Sequence, residues 1–123
     1  MPEKDNAMKR TVIAGALMLP MILPAHSKTL VVEAGDRVLV EYVRDPSCDD
    51  VLPPNAATIK SWLAAPLKHG KLEIAPPSMH RSKRCGRKMW MRRVFYRATS
   101  KGTETINLQF PRNGLTTWQV QVH

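Results

Sequence analysis

Between positions 81 and 93 seven of thirteen residues are Lys or Arg, interleaved with Met89, Trp90 and Met91. Cationic groups at that density attract phosphate, sulfate or carboxylate, and the aromatic and thioether side chains add apolar contact. The residues expected to bind are Arg81, Lys83, Arg84, Arg87, Lys88, Trp90, Arg92 and Arg93. The competing reading is a solvated hairpin whose Arg and Lys stems cover Trp90 and the methionines. Other chemistry is sparse. His69 stands beside Gly70, His80 in the basic block and His123 at the last position, none at zinc spacing from Cys48 or Cys85. Asp45, Asp49 and Asp50 lack the glycine and distal glutamate of a calcium loop. With no nucleophile elbow, phosphate loop or paired carboxylates, the sequence points to no catalytic residue, no metal, no cofactor and a protein that is not an enzyme.

The two cysteines read as a pair. Cys85 sits between Arg84 and Gly86-Arg87, where a thiolate would be favoured electrostatically. In an exported chain an even cysteine count reads instead as a disulfide, Cys48 to Cys85, which stabilises by roughly 4 kcal/mol on a loop-entropy model.

Export is expected from the N-terminus. Met8-Lys9-Arg10 precedes an uncharged run, residues 11–24, and then Ala25-His26-Ser27. That order of basic, apolar and small residues is the pattern of a secretory signal peptide. Residues 1–27 are thus read as a signal peptide with a short polar N-terminal extension, cleaved after Ser27, and the destination as periplasmic or secreted. The apolar run is shorter than the roughly 20 residues of a spanning helix and is interrupted by Pro20 and Pro24. No transmembrane segment is expected in the mature chain, residues 28–123.

The net charge of +9 is unevenly placed. Residues 28–59 carry three basic and six acidic residues, whereas residues 60–123 carry thirteen basic and two acidic, Glu73 and Glu104. Such asymmetry favours a polyanion or an anionic surface as partner.

The elements that must position these residues are strands. Two alternating runs flank a polar turn: Val94, Tyr96 and Ala98 share one face of the first, and Ile106, Leu108 and Phe110 one face of the second. If the first run begins at Lys88, Trp90 and Arg92 join the face of Val94 and Tyr96, and Met89, Met91, Arg93, Phe95 and Arg97 take the other. Upstream, Thr29 to Glu33 and Arg37 to Val43 read as strands divided by Gly35-Asp36, with Val38, Val40 and Tyr42 on one face. Ile59, Trp62 and Leu63 fit one helical turn, but Thr58 to Trp62 is assigned to a strand. Lys71 to Ile74 is another strand, ended by Pro76-Pro77. Asn113-Gly114 turns the chain into the last strand, with Trp118, Val120 and Val122 inward. The expected core is Val38, Val40, Tyr42, Leu72, Ile74, Val94, Tyr96, Ile106, Leu108, Trp118 and Val120.

Three stretches carry a resemblance: Pro66-Leu67-Lys68-His69-Gly70-Lys71-Leu72, Val94-Phe95-Tyr96-Arg97-Ala98 and Gly102-Thr103-Glu104-Thr105-Ile106-Asn107-Leu108. Together they resemble the bacterial cadherin-like, immunoglobulin-fold repeat over about half of the mature chain. Here Glu104 replaces the usual Asp, Ala98 a frequent Pro, and one residue is added before His69. The resemblance implies an all-β, immunoglobulin-like antiparallel β-sandwich of about seven strands, present as a single stand-alone copy. Calcium binding is not carried over, because no clustered carboxylates accompany Glu104. The function expected is an exported binding module whose basic loop engages an anionic envelope component, glycan, lipid headgroup or other polyanion. The alternatives are a non-enzymatic inhibitor or accessory protein binding another protein through its loops, and a structural envelope subunit.

Overall fold

A computed structural model describes residues 28–123; the expected leader, 1–27, lies outside the described residues. The elements are β1 (Lys28–Val32), β2 (Arg37–Arg44), α1 (Ala56–Ser61), β3 (Gly70–Ile74), β4 (Ser78–Ser82), β5 (Arg87–Ala98), β6 (Gly102–Phe110) and β7 (Gly114–Val122). One sheet has the order β1-β7-β6 and the other β2-β5-β3, with β4 pairing the first half of β5. Seven strands in two layers make the expected all-β sandwich. Neighbours are antiparallel except β1, which joins β7 in parallel from Lys28↔Trp118 to Val32↔Val122.

Period-2 alternation builds the interior. Val94, Tyr96 and Ala98 of β5, Ile106 and Leu108 of β6, and Trp118, Val120 and Val122 of β7 are buried in one cluster with Leu72, Val40 and Val43. Removing that apolar area from water is the main favourable term in folding. Val38 and Ile74 pack against the cluster from its margin.

Two expectations are corrected. Tyr42 is not in the core: it is 43 % exposed, and Val43, at 4 %, takes the inward place. The cause is a β-bulge. Leu39 pairs with Phe95 and Glu41 with Val94, so Val40 is an extra residue and the inward phase shifts by one. The strand expected over Thr58 to Trp62 is instead α1. Asn55 caps it, its Oδ1 accepting the Thr58 N–H at 2.8 Å. Ile59, on the inner side of this single turn and a half, is wholly buried. Extended pairing survives there only as the bridge Leu63↔Leu108. The count of seven strands holds because β4 supplies the seventh.

The stretches that carry the family resemblance meet at one end of the sandwich. The Glu104 carboxylate accepts the N–H of Lys68 (2.7 Å), the N–H of His69 (2.9 Å) and the Tyr96 O–H. Gly70 leaves no room for a Cβ against the Tyr96 ring, and Gly102, at φ +142°, lies under the His69 imidazole. Burial, with Glu104 adding to it, holds the Tyr96 phenol well above its ordinary range. These motif residues therefore do structural work: they pin the β3 entry to β5 and β6. On the outer face of the β2-β5-β3 sheet, Arg97 forks onto Glu73 (3.0 and 3.1 Å), and the hydrogen bond from Arg97 holds the Glu73 carboxyl below the usual range.

Candidate anion-binding site

The basic block folds as the β4–β5 hairpin. Ser82 is buried and fixes its turn: the Ser82 Oγ accepts the Cys85 N–H at 3.1 Å and its carbonyl accepts the Gly86 N–H at 2.9 Å. The Cys48–Cys85 disulfide, with Cα atoms 5.5 Å apart, ties this turn to the loop that follows β2. Arg87 donates to the Cys48 carbonyl across the same junction.

Strand register divides the eight candidate residues. Arg81 lies opposite Lys88, Met79 opposite Trp90, and His80 opposite Met89. Alternation puts Lys88, Trp90 and Arg92 on one face of β5 and Met89, Met91 and Arg93 on the other. Arg92 donates to the Ala75 carbonyl at 3.2 Å, and the Arg93 guanidinium lies 5.5 Å from the Phe95 ring centre, with Arg37 at 3.9 Å over the same ring. Arg87, Arg92 and Arg93 thus have contacts within the fold. Met89 and Met91 are buried, and the Tyr42 and His80 rings meet 5.0 Å apart on the Met91 side. Arg81, Lys83 and Arg84 stay exposed.

Those three cations border a groove made of two clefts. The first, about 390 Å³, has three arginines, Arg44, Arg84 and Arg112, around the aromatic side chains of Trp62 and Phe110. The second, about 550 Å³, adds Arg81 and Lys83, with His80 and Met91 in its wall. Glu41, Tyr42, Arg44 and Arg84 line both, so the two adjoin. Glu41 is the one carboxylate in either lining, against five cations.

Distant segments hold these groups in place. Arg44 Nη1 donates to the carbonyls of Asp45 (2.8 Å), Pro46 (3.3 Å) and Ser47 (3.4 Å), which folds the loop after β2 around the arginine. The Ser47 hydroxyl, then the Ser47 N–H, and behind them the charges of Arg112 and Arg44, hold the Asp45 carboxyl below its usual range. Trp62 is the C-cap of α1; its N–H donates to Ile59 (3.1 Å) and its carbonyl accepts the Gln109 N–H (2.9 Å). That fixes the indole 5.5 Å from the Phe110 ring at 59°. Arg112 stands in the turn between Phe110 and Gly114, which Gly114 closes at φ +76°.

Sequence reasoning found Arg81, Lys83 and Arg84 but missed Arg44, Arg112, Trp62 and Phe110. The helical spacing of Ile59, Trp62 and Leu63 was the one cue that places Trp62. Arg44 and Arg112 are isolated cations whose meeting depends on the fold.

The arrangement suits binding of anions. Two Ser–His pairs, Ser78–His80 (2.7 Å) and Ser100–His69 (3.1 Å), have the distance of nucleophile and base. Among the described residues neither imidazole carries a carboxylate that would orient it. Among the described residues no three His, Cys, Asp or Glu side chains gather as a metal ion requires, and no helix is long and apolar enough to cross a membrane. Comparison with protein-family models, with curated proteins and with solved structures finds nothing that matches this chain.

Proposed function

We propose that the protein is an exported binding module that holds an anionic partner in the groove between the β4–β5 hairpin, the loop after β2 and the β6–β7 turn. The observation that carries this reading is the convergence of Arg44, Arg81, Lys83, Arg84 and Arg112 on two adjoining clefts that share a single lining carboxylate. Export is supported by the leader pattern of residues 1–27 and by the Cys48–Cys85 disulfide, which persists in oxidising compartments. The Glu104 cluster supports kinship with the bacterial cadherin-like, immunoglobulin-fold repeat, since it joins the motif stretches of all three segments.

A second reading, an inhibitor or accessory protein that grips another protein through its loops, is favoured by Val51 and Leu52, 43 % and 63 % exposed beside Pro53 and Pro54. Salt separates the two. Electrostatic capture of a polyanion falls steeply with ionic strength because counterions are released, whereas an apolar loop contact does not. Retention of residues 28–123 on heparin, lipopolysaccharide and anionic vesicles, followed through a salt series, tests the reading. Elution at the salt of a neutral control from all three would contradict it.

A further inference from the structure

We infer that the ligand of the groove is an acidic saccharide: a chain of hydroxylated rings bearing carboxylates or sulfates at intervals. The inference rests on the anion-binding reading above and narrows it. Three features of the lining favour this ligand over a polyphosphate or a lipid surface.

The first is the aromatic wall. Trp62 and Phe110 are both half-buried and stand beside Arg44, Arg84 and Arg112. Their rings, tilted 59° to each other, both line one cleft. The C–H face of a pyranose packs on such a surface while its acid group reaches an arginine; a bare phosphate chain has no apolar face to place there.

The second is Glu41. It lines both clefts, where a carboxylate repels each charge of a continuous phosphate backbone. Towards hydroxyl groups it is an asset, since an ionised carboxylate is acceptor-only and takes O–H donors at both oxygens. One of those oxygens receives the Tyr42 N–H at 3.1 Å and the other has no such internal donor among the described residues. Asn113 and Tyr42 add an amide and a phenol to the first cleft, with donor and acceptor capacity matched to sugar hydroxyls.

The third is shape. Clefts of about 390 and 550 Å³ are of small-ligand size and share four lining residues. Cations mark the length of the groove: Arg112 in the first cleft, Arg44 and Arg84 at the junction, and Arg81 and Lys83 in the second. Cations distributed over both clefts suit a ligand that carries more than one acid group. A lipid surface would instead call for cations and apolar side chains on one open face.

The test is calorimetry and tryptophan fluorescence on residues 28–123. The probes are oligogalacturonate, a heparin oligosaccharide, a neutral galactose oligomer of equal length, and polyphosphate matched in charge. One or both acidic saccharides should bind at least about tenfold more tightly than the polyphosphate and the neutral oligomer. Which of them binds tells carboxylate from sulfate recognition. Glu41→Gln should weaken the acidic saccharide about three- to tenfold and tighten polyphosphate. Trp62→Phe keeps an aromatic side chain in the wall and should remove the fluorescence response without lowering Tm by more than a few degrees. If polyphosphate binds as tightly as the saccharides, or if Glu41→Gln tightens every anion alike, the saccharide inference is overturned and the anion-binding reading stands. If none of the four probes binds, both fall.

Discussion

Replacing Glu104 by Ala removes one carboxylate that accepts two backbone N–H groups and a buried phenol. The consequences can be worked group by group. The Lys68 N–H is exposed and regains water, so its loss is small. The His69 N–H is half-buried and the Tyr96 O–H sits on a fully buried residue. Hydrogen bonds to a charged acceptor contribute about 1.5–3 kcal/mol each, and a donor left without a partner in the interior costs about 1–3 kcal/mol. The substitution should therefore destabilise by about 3–5 kcal/mol, most of it from His69 and Tyr96. For a domain of this size that is a fall in Tm on the order of 15–30 °C. Tyr96→Phe, which removes one of the three bonds, should cost about 1–2 kcal/mol. In a cycle with Glu104→Gln the two changes should couple, because the side chains touch. Urea unfolding of the four proteins measures this, with equal m-values as the check that the unfolded states are comparable. A cost below about 1 kcal/mol for Glu104→Ala would refute the claim that the motif residues act as one structural clasp.

Three further outcomes are expected. Because of the bulge at Val40, Val43→Ser should cost about 2–3 kcal/mol and Tyr42→Ser less than about 1 kcal/mol in urea unfolding; the reverse order would restore an unbulged register. Native protein should show no reactive thiol, and breaking Cys48–Cys85, whose partners are 37 residues apart, should cost roughly 4 kcal/mol and weaken anion retention; two reactive thiols in the native state would contradict this. The folded-state Tyr96 phenol titrates above its unfolded value of 10.0, so the stability it contributes is complete below about pH 10 and is lost as pH rises towards the folded value; stability should fall there in the wild type and less in Tyr96→Phe.

The parts of the fold legible in the sequence were those whose information is local. β5, β6 and β7 announce themselves by strict alternation, from Val94-Tyr96-Ala98 to Trp118-Val120-Val122, and the Asn113-Gly114 turn fixes where the last strand begins. The bulge was not legible: Val38, Val40 and Tyr42 alternate perfectly, and the extra residue exists only relative to Phe95 and Val94 on the facing strand. The spacing of Ile59, Trp62 and Leu63 fits a helical turn, but six residues of α1 are too few for periodicity to outweigh the β-branched Thr58 and Ile59. The site was half legible for the same reason. Arg81, Lys83 and Arg84 stand out as composition, whereas Arg44 and Arg112 are brought to them by a disulfide, a loop wrapped on one guanidinium and a hairpin turn.

The central claim is that the groove captures an anion through cations from three segments. Its most direct measurement is the dependence of affinity for an anionic oligomer on salt, wild type against Arg81→Gln, Lys83→Gln, Arg84→Gln and Arg112→Gln combined. With about four contacts on a duplex the log-log slope would be roughly −3 to −4, and less steep on a single chain. The combined variant should lose most of that slope and of the affinity while its Tm stays within a few degrees, since exposed charges contribute little to folding. A wild-type slope equal to that of a neutral control protein, or a combined variant that binds as well as the wild type, would contradict the account.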